Sequence, residues 1–186
     1  ENVIRNQFEL VEGDPFSEIL TKKSQNNIRS LNFFKNVKTS VINGKDVNSK
    51  IINFEVEENP TGEISAGAGA GTEGGTIFFG VKENNYLGKG LSVDVNASLS
   101  AERFKGIFSV SNPNYKNSDK LAFVNIQAIE IDQLTNFGYK TNKTGFELGT
   151  SFEYLKDFNL GLSTSTFIEK IETDSTASPR QKAQKG

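Results

Sequence analysis

The sequence contains no cysteine, histidine, methionine or tryptophan among its 186 residues. Without cysteine, neither a disulfide framework nor a thiolate metal site can form. Without histidine, the chain lacks the commonest general base and the usual zinc ligand. The absence of methionine indicates that residue 1 is not a natural start, so we expect a piece of a longer protein. We therefore expect no enzyme, no cofactor and no metal site.

Long hydrophobic runs and a strong charge of either sign are also absent. No stretch of about 18 apolar residues occurs, which excludes a transmembrane helix. The mean hydropathy of −0.45 resembles that of a soluble protein. Transmembrane β-barrels give similar averages, because every second residue of their strands is polar. The formal net charge of −2 provides no basic surface, so we expect no nucleic-acid partner.

The main pattern that is present is an alternation of apolar and polar residues, which recurs between Gly62 and Thr166 and is clearest at residues 91–100. In a strand, this alternation places apolar side chains on one face and polar side chains on the other. The segments approach the roughly 9–11 residues that a transmembrane strand needs. We predict about seven antiparallel membrane strands, whose lipid-facing residues include Ile77, Phe79, Val81, Leu91, Val93, Val95, Ala97, Leu99, Phe104, Phe108 and Val110.

The first 58 residues carry a different pattern, in the order α-α-β-β. Asp14 is the predicted N-cap of the second helix, and Pro15 belongs to its first turn. Two alternating segments on either side of Asn43-Gly44 are the predicted strands. Two strands leave one sheet edge open, which an upstream strand would close. The predicted apolar stripe of the second helix consists of Phe16, Ile19, Leu20, Ile28 and Leu31.

The connections between the membrane strands differ in length, and an alternation of short turns with long loops is typical of a membrane barrel. Seven is an odd number of strands, so we expect the barrel to continue downstream. The predicted short turns are residues 101–102 and 155–157, and the predicted long loops are 112–118 and 132–144. The predicted regions are 1–58 (α+β domain), 59–62 (junction), 63–171 (membrane strands) and 172–186 (loop or disordered tail).

The first predicted membrane strand is poor in large side chains: it comprises Glu63, Ile64, Ser65, Ala66, Gly67, Ala68, Gly69, Ala70 and Gly71. Glycine inside a strand costs about 0.5–1 kcal/mol relative to alanine, and such strands have weakly specified register. One interpretation is that this strand opens more easily than its neighbours. The other is that small residues make room for a group packed in the lumen. If the first holds, valine at Gly67 and Gly69 should stiffen the strand.

Motifs that suggest chemistry have simpler explanations here. Residues 69–74 fit G-x-G-x-x-G, but a strand rather than a helix is predicted to follow, which favours a glycine-rich hairpin over a dinucleotide site. Glu147 and Glu153 share a predicted strand face but lie about 20 Å apart by strand rise, too far for a catalytic carboxylate pair. We interpret both as groups that contact water in the lumen.

Several motifs in the observed order resemble the BamA family of outer-membrane β-barrel assembly factors. These are Glu12-Gly13-Asp14-Pro15-Phe16-Ser17, Leu31-Asn32-Phe33-Phe34-Lys35-Asn36-Val37, Val56-Glu57-Glu58-Asn59-Pro60-Thr61-Gly62, Asn85-Tyr86-Leu87-Gly88-Lys89-Gly90 and Ser111-Asn112-Pro113-Asn114-Tyr115. The resemblance covers roughly residues 1–170. It implies an α+β polypeptide-transport-associated (POTRA) domain whose first strand is missing. The N-terminal part of an antiparallel transmembrane β-barrel would follow.

The resemblance also implies a function and a location. The protein would assemble and insert outer-membrane proteins, with its POTRA domain in the periplasm and its barrel in the outer membrane. Nascent outer-membrane proteins, partner lipoproteins and membrane lipid are the implied partners. In this family the first barrel strand, here residues 63–71, meets the last at a weak seam, and an incoming protein is expected to pair with its edge.

Two other classes of protein remain as alternatives. A relative in the same superfamily would export polypeptides through its lumen or assemble autotransporters. A passive porin or a soluble β-sandwich would lack the α-α-β-β block or would show Greek-key spacing.

Overall fold

A computed structural model of the chain describes residues 2–46, 49–71 and 74–186. The chain divides into two units, one of residues 1–61 with 87–90 and one of residues 62–86 with 91–186. The first unit contains helices α1 (Asn2–Arg5) and α2 (Glu18–Ser30), followed by strands β1 (Phe34–Asn43) and β2 (Lys50–Glu58). The predicted α-α-β-β order is therefore confirmed. No helix among the described residues is both long enough and apolar enough to cross a membrane.

Helix α2 begins three residues later than predicted. Its N-cap is Ser17, which has an extended backbone. The Ser17 side-chain oxygen accepts a hydrogen bond from the Leu20 N–H at 3.4 Å. Asp14 was the predicted N-cap, and its carboxylate instead accepts the Val11 N–H at 2.9 Å and closes the preceding turn. Both residues have side chains suited to capping, and the prediction was wrong because the local turn uses the first of them.

The buried face of α2 also differs from the predicted apolar stripe. Thr21, Ser24 and Ile28 are buried, whereas Ile19 is 79% exposed. Ser24 is accommodated because its hydroxyl accepts the Glu9 N–H at 2.8 Å and donates to the Leu20 carbonyl at 3.0 Å. A satisfied hydroxyl can occupy a buried face, and an apolar pattern cannot reveal it.

The second unit, in the part of the chain that is described, is one antiparallel sheet in which each strand pairs with its sequence neighbours. This arrangement confirms the predicted count of seven strands. The strands are β3 (Gly62–Gly71), β4 (Gly74–Tyr86), β5 (Leu91–Ser100), β6 (Arg103–Asn112), β7 (Lys120–Gln133), β8 (Tyr139–Leu155) and β9 (Phe158–Thr173).

Each end of this sheet carries both short and longer connections between strands. In an up-and-down sheet, the short β5–β6 and the longer β7–β8 connections lie at one end. The longer β6–β7 and the short β8–β9 connections lie at the other. The predicted connections at 101–102, 112–118 and 155–157 are therefore found with shifts of at most one residue, but the longer connections do not all lie at one end of the sheet.

The predicted loop at residues 132–144 is mostly strand. Strand β7 continues to Gln133, helix α3 (Leu134–Phe137) makes the turn, and β8 begins at Tyr139. Charged side chains hold these strand ends together: the Lys140 ammonium lies 2.9 Å from Glu130 and 3.4 Å from Asp132. Pairing by charge instead of by apolar contact hid the strand ends from the sequence pattern.

Residues 172–186, for which a loop or disordered tail is predicted, contain the end of β9, a turn and a short helix. After β9, Asp174 turns the chain, and its backbone N–H donates to the Gly138 carbonyl at 2.9 Å. Ala177 is 4% exposed beside Gly138, which adopts a left-handed φ of 72°. Helix α4 (Pro179–Ala183) follows, with a reciprocal Ser178–Gln181 capping box. Short polar segments can order through turn and cap hydrogen bonds without apolar periodicity.

Acidification should loosen this C-terminal turn. Hydrogen bonds from the Thr176 hydroxyl and backbone N–H, together with the Ala177 N–H, hold the pKa of Asp174 below its ordinary value. A carboxylate with a lowered folded-state pKa stabilises the fold above its unfolded pKa, and that stability is lost as pH falls through the folded pKa. We expect the Thr176 amide to lose hydrogen-exchange protection across that window. In Asp174→Asn the protection should no longer depend on pH there, and an unchanged pH profile would contradict this assignment.

Candidate strand-pairing edge and membrane face

Strand β3 forms one end of the seven-stranded sheet. It pairs only with β4 among the described residues, in an unbroken register from Gly62↔Glu83 to Gly71↔Gly74. All nine residues predicted for the pairing strand, Glu63 to Gly71, lie within β3. The edge of β3 that faces away from β4 therefore presents backbone N–H and C=O groups to a further strand.

The side chains of β3 give it little packing. Gly67 is half-buried, and the other nine residues of the strand are exposed. The Phe78 ring, directly opposite in the register, covers Gly67 so closely that a Cβ there would clash with it, whereas a Cβ on Gly69 would meet nothing within 4 Å. Each interpretation of the glycines therefore fits one residue. Gly67 makes room for a neighbouring ring, whereas Gly69 leaves this part of the strand without side-chain contacts.

A phenylalanine directly opposite a glycine occurs twice more in this sheet. Phe123 lies over its direct partner Gly149, and Phe167 pairs directly with Gly145. Such pairs fix register where a glycine would otherwise weaken it. The sequence analysis missed them because each pair joins residues that are distant in the chain.

One face of the sheet, called the outer face below, is apolar at mid-height on six of its seven strands and carries a threonine on the seventh. One row of directly paired residues crosses all seven strands: Ile64, Val81, Val95, Phe108, Ile126, Phe146 and Thr166. The register places the predicted lipid-facing residues of β4, β5 and β6 on this same face. Side chains missed by that prediction extend the face across β7, β8 and β9, among them Val124, Ile126, Phe146, Leu148 and Leu162. The alternation within those three strands was the signal available for finding them.

The height of this face can be estimated on β7, where Lys120 and Glu130 bracket Ala122, Val124, Ile126 and Ala128. Ten residues span about 33 Å of strand, or about 25 Å of membrane depth at a tilt of about 40°. A transmembrane barrel has an apolar band of about this height. Contact between this face and lipid is the prediction that follows.

The inner face carries a polar row at the same level. It comprises Glu63, Lys82, Asp94, Ser109, Asn125, Glu147 and Ser165. The Asn125 amide donates to the Glu147 carboxylate at 3.1 Å, which fits the predicted role of Glu147 on a wet face. Glu153 instead accepts the Asp157 N–H at 2.7 Å and stabilises the β8–β9 turn.

Two features that bear on chemistry can be located in the structure. Within residues 2–46, 49–71 and 74–186, no group of three or more acidic side chains is placed to bind a metal ion. The G-x-G-x-x-G segment joins β3 to β4, with Gly69 and Gly71 ending one strand and Gly74 beginning the next. Its Thr72 and Glu73 lie outside the described residues. A dinucleotide site requires a helix where β4 stands.

Comparisons with known proteins agree with this architecture. Residues 1–59 match the POTRA family model, described as a surface antigen variable number repeat. The chain is 28% identical over 158 residues to the outer membrane protein assembly factor BamA of Buchnera aphidicola subsp. Acyrthosiphon pisum. That alignment covers 82% of this chain and 25% of the relative, so the chain spans about a quarter of the relative's length.

Two solved structures share the fold. BamA from Haemophilus ducreyi lacking POTRA domains 1–3 matches with a TM-score of 0.83 at 20% identity, over 92% of this chain and 33% of that one. CdiB from Escherichia coli matches with a TM-score of 0.59 at 15% identity, over 96% of this chain and 36% of that one. Residues 1–59 therefore match a POTRA repeat, and over most of its length the chain is similar in sequence to a BamA assembly factor and in fold to a solved BamA structure.

Proposed function

We propose that this chain acts in the assembly and insertion of outer-membrane proteins, with the free edge of β3 as the template for an incoming client strand. The observation that carries the proposal is a terminal strand with an unbroken ladder on one side and almost no large side chains. Unpaired backbone groups cost several kcal/mol each in hydrocarbon. An edge exposed at membrane depth therefore strongly favours pairing with another strand.

The proposed activity needs no chemical step. Client strands would exchange hydrogen bonds with β3, and release would require the client to close on itself. We propose that the protein is not an enzyme and uses no cofactor. Its POTRA domain would bind nascent chains and partner lipoproteins of an assembly complex, as the name of the sequence relative, an assembly factor, suggests.

The sharpest test is Gly69→Val in the full-length protein. The added side chain enters open space, so it should stiffen β3 without displacing a neighbour. Removing a glycine from a strand is worth about 0.5–1 kcal/mol, which corresponds to about a two- to fivefold slower opening. We expect client barrels to fold into reconstituted vesicles more slowly by that factor. Unchanged client assembly at normal protein levels would count against a gating role for β3.

Gly67→Val serves as the matched comparison. The sequence predicts the same stiffening there, but the structure predicts the opposite, because valine would push the Phe78 ring away. We expect this variant to weaken β3–β4 pairing, seen as faster hydrogen exchange in β4. If both variants instead accelerate or slow assembly equally, the Gly67–Phe78 contact has no part in the process.

The alternative function is transport of polypeptides through the lumen of the barrel. The structural similarity to CdiB fits this alternative, because a superfamily member with that function would share this fold. In such a protein, Gly69→Val should leave transport of a polypeptide through the lumen unaffected. Transport that the variant does not change, together with no insertion of client barrels by the unmodified protein, would favour that alternative.

A further inference from the structure

The first unit has a second strand edge, on the side of β1 that faces away from β2. Two backbone hydrogen bonds bracket the β1–β2 ladder: Asn59 N–H to the Phe33 carbonyl at 2.9 Å, and Gly44 N–H to the Ser49 carbonyl at 2.9 Å. Because bonding alternates along antiparallel strands, the pairs between them that contain Asn36, Lys38, Ser40 and Ile42 are the hydrogen-bonded ones. The backbone groups of Val37, Thr39 and Val41 therefore point outward.

The outward carbonyl of Val37 is already occupied. The Gln25 side-chain amide and the Arg29 guanidinium each donate to it at 3.0 Å. Both donors stand one turn apart on α2, and they fill both lone pairs of that oxygen. No side chain among the described residues bonds the outward carbonyls of Thr39 or Val41 in this way.

Val37 is also where the edge is best buried. Its side chain is 2% exposed beneath α2, whereas Val41 is 42% exposed. A strand added at Val37 would have to displace two charge-assisted or polar hydrogen bonds and then fit beside the helix. Proteins protect sheet edges by covering them in this manner.

We propose that Gln25 and Arg29 form an edge guard, which prevents a second polypeptide strand from adding to β1 at Val37. The occupant that it excludes is β1 of a second copy of this protein. With the guard in place, β1 offers an added strand only the stretch beyond the helix, from Thr39 to Asn43. The inference does not depend on the proposed role of β3.

A cross-linking experiment tests the guard in the full chain in detergent micelles. Ser40→Cys places one thiol on the exposed face of β1, in a chain without native cysteine. A short bis-maleimide then captures edge-to-edge pairing of two copies. We expect Gln25→Ala with Arg29→Ala to raise the yield of cross-linked dimer at least fivefold. Lys22→Ala with Asn26→Ala, which changes two exposed residues at the same spacing on α2, should leave the yield unchanged.

Two further measurements keep the test decisive. Arg29→Met keeps the aliphatic stem but removes the donors, and it should raise the yield at least twofold if the double variant is unfolded by circular dichroism. In the intact protein, the Gln25 side-chain amide protons should exchange at least tenfold more slowly than those of the exposed Asn26. A folded guard variant that cross-links no faster than the Lys22/Asn26 control, or equal exchange at Gln25 and Asn26, would overturn the proposal.

Discussion

Arginine at Val95 should destabilise the membrane unit by about 2–4 kcal/mol, the range for a cationic residue on the lipid face near the bilayer midplane. Val95 is the β5 member of the row of paired residues that is apolar from β3 to β8, and it lies between Val81 and Phe108. A guanidinium there would lose its hydration in hydrocarbon without gaining a partner. Folding of the full-length protein into lipid vesicles, followed by urea titration, measures the loss.

Asn96→Arg is the control, one residue along the same strand on the opposite face. Asn96 is exposed, lies beside Asp94 and donates a hydrogen bond to its carboxylate. A cation at this position would stay hydrated and near an anion, so we expect a change within about 0.5 kcal/mol. Equal losses for the two variants would mean that the faces of β5 have been assigned incorrectly.

Alanine at Gly145 should produce the second large effect, a loss of about 1–3 kcal/mol from overpacking. A Cβ at Gly145 would lie 2.6 Å from the Phe167 Cβ and 2.9 Å from its Cα, and also against the Thr166 carbonyl. These are largely backbone atoms of the neighbouring strand, so β9 would have to move away from β8. The predicted readout is a lower urea midpoint together with faster hydrogen exchange along β9.

Gly161→Ala makes the same chemical change in the same hairpin, but the added Cβ would lie at ordinary van der Waals distance from its neighbours. Its nearest contacts would be Ser151 Cβ at 3.8 Å and the Thr150 carbonyl at 4.0 Å. Because alanine is less costly than glycine in a strand, we expect no loss and a gain of up to about 0.5–1 kcal/mol. If Gly145→Ala proves as harmless as Gly161→Ala, the close approach of β8 and β9 does not limit stability.

The two kinds of element in this chain differed in how far the sequence could predict them. Strand β5 was predicted nearly residue by residue, because its two-residue alternation is set by the difference between its two environments. Helix α2 was placed correctly but with the wrong cap and the wrong buried face. Serine and threonine can be buried when local hydrogen bonds satisfy them, and this depends on how neighbouring loops fold.

The candidate pairing edge shows the same division. Its lack of large side chains follows from the sequence of residues 63–71 alone, whereas its role as a pairing edge is implied by the resemblance. The different roles of Gly67 and Gly69 do not, because one faces a ring from β4 and the other faces open space.

By itself, the sequence determined the two regions of the chain, the antiparallel strand pattern and the apolar and polar faces, since these arise from periodicities within single segments. The tertiary structure alone decided which glycines are covered by phenylalanines, how the C-terminal segment docks on Gly138, and how Gln25 and Arg29 reach the carbonyl of Val37. Each of these features joins residues from different elements, and register and packing bring them together only after the chain has folded.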